Sequence, residues 1–427
     1  MTFMLFALFV GLVVLGVPIT MAIGASVILA LIYAGFGSEL HIMPQQILEG
    51  VDRPALLAVP FFVLAGNLMN AVGMTDRIFR FATALVGHTK AGLAQVNVVA
   101  SMVFAGISGA SVADTAGLGT VEMKAMRERG YPADFAAALS VVSSVIGPLI
   151  PPSIPLIIYA FLSSTSVARL FLAGIVPGIL VGVSLMIYNR MVADRYNFPR
   201  EEKAPARVVL REAIDGLAAL VAPAIILGAM LWGFTTASEA GVLACVYSLL
   251  LGAVYRTLDA RKLWEAVTET AIITGIIMII VGYSQVMGWL LAIEQAPQYL
   301  ANSIVFVSDN KHIFMILMIA VVLLLGMIVE GVPITLILVP MLLPIVDQMG
   351  IDRIQFGVVF TLALLMGVAT PPMGIGLYIM VGISKEPMER IAAAALPMLI
   401  PLLVVLLLIA YIPALTLFLP NLVMGLE

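Results

Sequence analysis

The sequence is poor in cysteine, histidine and charge. Cys245 is the single cysteine of the 427 residues, and the three histidines (His41, His88 and His312) are scattered. A disulfide framework and a cysteine zinc site are excluded, because each needs several cysteines. Charged residues make up 11% of the chain, against about 25% in an average soluble domain. No basic patch is longer than a short loop, so nucleic-acid binding is not expected.

Apolar residues dominate instead, at 62% of the chain, with a mean hydropathy of +1.14. Long apolar runs occupy Phe3–Tyr33, Leu170–Tyr188, Ala213–Phe234, Ala271–Ile293 and Ile391–Leu417. About 20 helical residues cross the hydrocarbon core of a bilayer. The first run lacks a basic start and a small-residue cleavage site, so we expect a first span rather than a signal peptide. The sequence therefore predicts an all-α protein that crosses a membrane many times.

The two halves of the chain resemble each other at a shift of 220 residues. Gly106–Thr115 falls on Gly326–Thr335, and Ile150–Tyr159 falls on Thr370–Ile379. Pro151-Pro152 then coincides with Pro371-Pro372 without a gap. We predict a first repeat over residues 1–195, a linker and joining span over 196–235, and a second repeat over 236–427.

Each repeat is expected to hold a re-entrant helical hairpin and a proline-broken helix. The predicted parts of the first repeat are a span near 3–33, an amphipathic stretch near 42–54, a span near 55–72, a hairpin about 92–129, a broken helix about 133–160 and a span near 169–189. A joining span follows near 213–234. The predicted parts of the second repeat are 238–255, an amphipathic stretch near 258–268, 270–292, a hairpin about 313–349, a broken helix about 355–382 and 389–415.

The distribution of basic residues predicts the topology. With four full spans in each repeat and one joining span, the layout has nine spans, and the second repeat is inverted. Residues 190–211 are rich in arginine and are placed in the cytoplasm by the positive-inside rule. The same layout puts 17 of the 21 Lys and Arg residues on that side. Only Arg53, Arg169, Lys311 and Arg353 then lie outside. We expect a cytoplasmic N-terminus and a periplasmic C-terminus.

Hairpin tips and helix breaks at membrane depth favour transport. Unpaired backbone groups cannot face lipid, so non-helical segments must line a polar cavity or be buried in protein. Adjacent prolines remove two amide donors and open the helix. The freed carbonyl groups suit a cation, and the helix N-termini suit an anion. Inverted repeats with broken helices are typical of secondary carriers. Helix capping, small-residue packing and a simple proline kink are the structural alternatives for these residues.

Two carboxylates lie near the predicted tips, Asp114 in the first and Glu330 in the second. Ionisable groups inside a membrane are functional candidates, although either acid can instead stabilise the start of a helix. Glu239 and Glu294 are expected near span ends and solvated. No Lys or Arg is predicted at the membrane midplane, so an anion would be held by helix N-termini, hydroxyl groups and a bound cation, or by loop arginines at the rim.

These motifs resemble a known family. Gly106–Thr115, Ala136–Ser140 and Gly147–Pro155, with Gly326–Thr335, Thr370–Gly374 and Gly288–Gln295, are similar to the large membrane subunit of tripartite ATP-independent periplasmic (TRAP) transporters. The resemblance runs essentially end to end. It implies an elevator mechanism in which hairpins and broken helices move against a scaffold, coupled to Na⁺. It also implies a small four-span membrane subunit, a periplasmic substrate-binding protein, and an organic acid such as a dicarboxylate, sialic acid or another sugar acid. A bacterial inner membrane is the expected location.

The resemblance also implies site residues. Carried over by position, one Na⁺ site would use Ser108, Ser111, Gly147, Pro151 and Pro152. A second would use Gly331, Val332, Thr335, Ala369, Thr370 and Met373. We assign the remaining tip and break residues to the substrate, namely Gly109, Asp114, Thr115, Ser153, Pro371, Pro372 and Gly374. No organic cofactor is expected.

Three alternatives remain at this point. A single-component sodium/dicarboxylate-type carrier would share the repeats but need no binding protein. An intramembrane serine protease is suggested by Gly106-Ile-Ser-Gly109, but it would need a histidine base beside the serine, and all three histidines are predicted near span ends. A passive channel is disfavoured, because proline-broken inverted repeats are typical of alternating access.

Overall fold

In a computed structural model the chain is helical throughout the residues described, which are 2–33, 35–196, 198–199, 201–296, 310–372 and 374–425. The helices of the first half are α1 (Thr2–Val14), α2 (Ile19–Tyr33), α3 (Met43–Val51), α4 (Ala58–Ala71), α5 (Met74–Val86), α6 (Leu93–Ser108), α7 (Ser111–Ala116), α8 (Leu118–Glu128), α9 (Ala133–Ser143), α10 (Ile154–Ser163) and α11 (Val167–Tyr196). The remainder are α12 (Ala206–Leu231), α13 (Ala237–Tyr255), α14 (Ala260–Ile293), α15 (Lys311–Gly326), α16 (Gly331–Gln348), α17 (Arg353–Val368), α18 (Ile375–Ser384), α19 (Met388–Tyr411) and α20 (Ala414–Met424).

Six of these helices are long and apolar enough to cross a membrane: α11, α12, α13, α14, α16 and α19. The pair α4 and α5 adds a seventh span if the two helices, bent by 69°, are counted together. Most of the other apolar helices are shorter than about 18 residues and occur in broken or hairpin pairs. The prediction of an all-α polytopic membrane protein is confirmed.

The predicted single span near 3–33 is wrong. Gly16 has a φ of +82°, and Pro18 provides no amide donor, so α1 ends and α2 starts as a separate helix packed on it. The predicted segments near 258–268 and 270–292 are likewise one helix, α14. Asp259 starts this helix by accepting a hydrogen bond from the Lys262 amide at 2.8 Å, and no breaker interrupts it. The helices α5 and α20 were not predicted.

The predicted hairpins and breaks appear in both halves. Helix α6 turns at Gly109 into α7 and α8, and α15 turns before Gly331 into α16. Helix α9 ends in a short 3₁₀ turn at Ser144–Ile146 before α10, and α17 ends at Val368 before α18. The Pro151–Pro152 and Pro371–Pro372 peptide bonds are both cis.

The hairpins and broken helices of the two halves are packed together. Helix α10 lies against α16, and α18 lies against α7 and α9. A second group of helices surrounds α14, which contacts α2, α3 and α4, while α4 also packs against α13. We call the first group the core body (α6–α10 and α15–α18) and the second the frame (α2–α4, α13 and α14).

Charged side chains collect at two rims. Ion pairs join Arg77 with Asp215, Arg80 with Glu212, Lys90 with Asp194 and Arg129 with Glu201, at 2.6–3.9 Å. All four involve basic residues that are predicted on the cytoplasmic side. Arg353 donates to the Ser163 carbonyl at 2.8 Å, and Arg169 donates to the Gly425 carbonyl. These contacts bring together residues predicted on the same side of the membrane. Arg200 lies outside the described residues, and the direction of the chain in the membrane stays a prediction.

Candidate functional site

The first tip is a sharp turn between α6 and α7. Helix α6 ends at Ser108 because Gly109 has a φ of +60°, a conformation that glycine adopts at little cost. Ala110 is extended, and α7 begins at Ser111. The Ser108 hydroxyl donates to a carboxylate oxygen of Asp114 and accepts from the Ala110 amide at 3.3 Å. The tip is therefore held by its own polar side chains, and Ser108 is bonded to a carboxylate rather than to a histidine base.

This tip touches the first helix break. The Ile154 amide donates to the Gly109 carbonyl at 3.3 Å. A Cβ atom on Gly109 would overlap the Pro152 carbonyl and lie 3.4 Å from the Ser153 Cα. Ser153 caps α10 by accepting from the Leu156 amide at 3.2 Å, and its hydroxyl donates to the Pro148 carbonyl. The predicted residues on the two segments are thus in direct contact.

Four buried hydroxyl and carboxyl groups lie beside this contact. Ser111 and Ser144 share a hydrogen bond of 2.9 Å. The Thr115 hydroxyl lies 2.9 Å from the Ser144 Oγ and donates to the Ser111 carbonyl at 2.9 Å. Asp114 is 2% exposed, and its Oδ2 atom is buried without a hydrogen-bond partner. A Cβ atom on Gly147 would overlap that oxygen, so the carboxyl fits only because residue 147 is glycine.

The first site fits a small hard cation. Its polar atoms are hydroxyl and carboxylate oxygens, which are the ligands that such ions prefer. Within the described residues no Lys or Arg forms an ion pair with Asp114, and a buried carboxylate without a counter-charge is strongly disfavoured. The unpartnered Asp114 Oδ2 atom is therefore available to a cation or to a proton.

The helices that lead into the second tip and the second break, α15 and α17, meet at two glycines near their ends. A Cβ atom on Gly367 would lie only 2.6 Å from the Gly326 Cα, so the two backbones touch. The Thr335 hydroxyl donates to the Gly331 carbonyl at 2.8 Å, and the Thr370 hydroxyl donates to the Met366 carbonyl at 2.6 Å. The Cβ position of Gly374 lies 2.8 Å from the Thr370 carbonyl oxygen. This site is built mainly from backbone, with Val332, Ala369, Pro371 and Pro372 in the same two segments, and Met373 lies outside the described residues.

Helix α18 links the two tip-and-break pairs. The Cβ position of Gly119 in α8 lies 3.2 Å from the Met380 Cε of α18 and 3.7 Å from the Asp114 carbonyl oxygen. The Cβ position of Gly376 in α18 lies 2.8 Å from Val141 of α9. The predicted residues therefore form two clusters in one packed body. Whether they bind ions or substrate is not decided by this arrangement alone.

Sequence reasoning missed a buried polar group next to the first cluster. The Asn97 amide of α6 contacts Glu122 of α8 at 2.5 Å and Ser140 of α9 at 2.8 Å. Ser101 donates to Ser143 at 3.1 Å one helical turn further along α6. The detectable signal is spacing, since Asn97 and Ser101 are four residues apart and share a helix face within an apolar run.

Comparison with known proteins gives a family. Residues 6–415 match the family model described as tripartite ATP-independent periplasmic transporter, DctM component. The chain is 40% identical to the sialic acid TRAP transporter large permease protein SiaM of Vibrio cholerae, over 97% of each chain. It is 37% identical to the sialic acid TRAP transporter permease protein SiaT of Haemophilus influenzae, over 88% of this chain and 62% of that longer protein. The crystal structure of the Alcanivorax borkumensis YdaH transporter shares the fold, with a TM-score of 0.63 at 14% identity over 96% of this chain and 98% of that one.

Proposed function

Because the chain belongs to the DctM family of tripartite ATP-independent periplasmic transporters, we propose that it is the permease of a Na⁺-coupled carrier for an organic acid. The observation that supports this most is the pairing of each hairpin tip with a helix break, Gly109 with Pro152 and Gly326 with Gly367. The first pair joins non-helical backbone, and the second pair joins the two helix ends that lead into the non-helical segments. These segments lie in the core body, where they would provide polar atoms for a transported species. The relatives described above are named as transporter permeases, which argues against the protease alternative.

The first coupling ion would be held by the oxygen atoms around Ser108 and Ser111 and by the break from Gly147 to Pro152. Asp114, which the sequence assigned to the substrate, is moved to this ion because its carboxylate accepts from the Ser108 hydroxyl. These residues come from both sides of the tip-and-break contact, so a cation there would fasten the tip to the break. The unpartnered Asp114 oxygen supplies the negative charge that the ion balances. We assign the second ion to the segments around Gly331–Thr335 and Ala369–Met373, in which Thr335 and Thr370 add hydroxyl oxygens to main-chain carbonyl groups.

The substrate carboxylate would lie between the two breaks. Helix α18 starts at Ile375 after Gly374, with no side chain capping it, so its first amides and its positive dipole end suit an anion. Helix α10 starts beside Gly109 and Ser153, but Ser153 already caps it. We therefore expect Gly374 and the second break to contact the carboxylate more directly than Ser153 does. Thr115, Pro371 and Pro372 would complete the wall.

The core body would carry ions and substrate across by moving against the frame. The two tip-and-break pairs are packed into one unit through α18 and α16, so they would move together in the elevator manner. The two halves would then act as inverted repeats, with the domain bounds predicted from the sequence. Close packing supports motion of the core body as a rigid unit, because close-packed interiors have low compressibility.

Partners and location complete the proposal. A periplasmic binding protein would deliver the acid, and a small membrane subunit would complete the complex in the bacterial inner membrane. We propose that the N-terminus is cytoplasmic and the C-terminus periplasmic, as the basic residues predict. Sialic acid is the first substrate to test, because it appears in the names of two relatives.

The test is uptake of labelled sialic acid and C4-dicarboxylates into proteoliposomes that hold the permease and its small subunit, with the cognate binding protein outside. Uptake should require an inward Na⁺ gradient and should stop when choline replaces Na⁺. Uptake that continues unchanged in choline would reject Na⁺ coupling. Uptake by the permease alone, without either partner, would instead favour the single-component carrier.

A further inference from the structure

Glu122 lies deep in the core body, where the proposed transport chemistry does not use it. It is on α8, eight residues after Asp114 of α7, and it is 1% exposed. Its neighbours Asn97 on α6 and Ser140 on α9 are 0% and 2% exposed. The three residues join the hairpin to the first part of the broken helix. The Glu122 Oε1 and Asn97 Oδ1 atoms are both buried without a hydrogen-bond partner.

The surroundings of Glu122 provide no positive charge. In the described part of the chain, Glu122 accepts from the uncharged Asn97 amide, and its other hydrogen-bonding neighbour is the uncharged Ser140 hydroxyl. A carboxylate buried among neutral groups is disfavoured by several kcal/mol or more, and such a group takes up a proton instead. Glu122 would stay ionised only if a charged group on one of the helices packed against α8 supplied a counter-charge.

Those groups do not supply a counter-ion. On α5, Arg77 pairs with Asp215 and Arg80 with Glu212 at the rim, and Asp76 is exposed. On α8 itself, Lys124, Arg127 and Glu128 are exposed. Arg129, just beyond α8, is also exposed and pairs with Glu201.

The groups described on the other neighbouring helices do not supply a positive charge either. Asp134 on α9 accepts from its neighbouring amide, and Tyr378 on α18 is exposed. Asp114 on α7 interacts with Glu122 electrostatically, and it carries the same sign of charge.

The geometry suits a protonated carboxyl group. The 2.5 Å separation between the Asn97 amide and a Glu122 oxygen is shorter than is usual for N–H···O bonds and typical of strong O–H···O bonds. As placed, the Asn97 Nδ2 atom donates to Glu122 and to the Ser140 hydroxyl. Turning the amide by 180° directs its oxygen at the Glu122 carboxyl and Ser140 hydroxyl groups and moves Nδ2 to the position of the unpartnered Oδ1 atom. The oxygen and nitrogen of an amide have nearly the same shape, so this orientation fits the same space. Asn97 then accepts a hydrogen bond from a neutral Glu122.

We propose that Glu122 is a proton-binding site whose proton stays resident and ties the hairpin helices α6 and α8 to α9. The proton keeps this part of the core body neutral inside the membrane and supplies the donor of the Glu122–Asn97 bond. It is not a coupling ion, and the proposal holds whether or not Na⁺ drives transport. Glu122→Gln is neutral and carries a hydrogen-bond donor, as the protonated carboxyl group does. An ionised carboxylate would have no positively charged partner among the described residues of this pocket.

The experiment is infrared spectroscopy of the purified complete transporter in lipid nanodiscs. Wild type should show a protonated-carboxyl C=O band that shifts in D₂O and on labelling with carbon-isotope-enriched glutamate. Glu122→Gln should lose this band, while Glu128→Gln, an exposed glutamate on the same helix, should keep it. Uptake by Glu122→Gln should stay within about twofold of wild type, the scatter expected when no specific interaction is lost.

Three results would overturn the proposal. The first is a wild-type spectrum without a protonated glutamate band. The second is a band that disappears when Na⁺ is added, which would make Glu122 a cation ligand. The third is proton-gradient-driven uptake that wild type shows and Glu122→Gln lacks, which would make the proton a transported one. If Glu122→Gln does not fold, the isotope-labelled band measured in Glu330→Gln still decides between a neutral and an ionised Glu122.

Discussion

The Tyr159 hydroxyl donates a 2.6 Å hydrogen bond to the main-chain carbonyl of Arg353, and this bond joins the two halves of the chain. The Arg353 guanidinium donates in turn to the Ser163 carbonyl at 2.8 Å and pairs with Asp347 at 2.6 Å. Tyr159 is fully buried, and a Cβ atom on Gly357 would overlap its ring. Hydrogen bonds thus connect α10 with the start of α17 at one rim of the core body.

Replacing Tyr159 with phenylalanine should weaken this connection between α10 and α17 and lower the stability of the protein. The Arg353 carbonyl would lose a buried donor, which typically costs about 1–3 kcal/mol. We expect a lower thermal unfolding midpoint for Tyr159→Phe in detergent, measured by tryptophan fluorescence. Tyr378→Phe, at an exposed position on α18, is the control and should unfold like wild type. Equal midpoints for all three proteins would show that the bond does not stabilise the core body.

The hydroxyl groups of the first site should set the Na⁺ requirement. Ser108→Ala with Ser111→Ala removes two oxygen atoms that we assign to the ion. We expect the Na⁺ concentration for half-maximal uptake to rise by roughly tenfold or more, since hydrogen bonds and contacts to charged groups contribute about 1.5–3 kcal/mol. Expression should change less than coupling. Ser184→Ala, on α11 with its hydroxyl bonded to Val181, is the matched control, and a normal Na⁺ dependence in the double variant would discard the assignment.

Gly147 should tolerate no side chain. A Cβ atom there would overlap the Asp114 Oδ2 atom, so Gly147→Ala must displace the carboxyl group from the first site. We expect Na⁺-driven uptake to fall by at least about tenfold, as overpacking costs typically 1–3 kcal/mol. Gly228→Ala on α12 has open space around its new methyl group and should transport normally. Retained uptake in Gly147→Ala would show that the Asp114 position is not needed.

The topology can be checked by labelling single cysteines in intact cells. Cys245 is buried, and Cys245→Ser gives a background without thiols. With a membrane-impermeant maleimide, Lys311→Cys should react from outside, and Lys203→Cys should react only after the cells are opened. The reverse pattern would overturn the predicted direction of the chain.

Alkaline pH should destabilise the base of the first hairpin. Tyr131, between α8 and α9, accepts from the Leu93 amide and lies 2.9 Å from the Ala91 carbonyl, to which it donates. Burial raises the pKa of Tyr131 from 10.0 to about 12. The folded state therefore holds this proton more tightly than the unfolded state. The stabilisation is complete below pH 10 and is lost as the pH rises towards about 12.

Tyr131→Phe removes this titration. Its unfolding midpoint should be lower than that of wild type at neutral pH, and the difference should shrink between pH 10 and 12, the range set by the two pKa values. Tyr378→Phe again serves as the control. A difference that does not change over this range would show that Tyr131 is not the group responsible.

Several features were predictable because they depend on local chemistry. Apolar runs identified the membrane protein, and Gly109 with the two Pro-Pro pairs located the first tip and both breaks, since glycine and proline limit the backbone whatever surrounds them. The same local reasoning failed at Gly16, where apolar residues continue through the turn and hide the end of α1. It also failed at residue 269, where a polar stretch stays helical inside α14.

The sequence by itself determined that the chain is a polytopic membrane protein with two matching sets of tips and breaks, because hydropathy and backbone constraints act residue by residue. Only the tertiary structure decided which side chains meet. Glu122 contacts Asn97, Tyr159 donates to the Arg353 carbonyl, and the Asp114 carboxyl group lies in the space left by the missing side chain of Gly147. Such contacts join separate helices, and their rotation and depth are set by packing rather than by periodicity along any one helix.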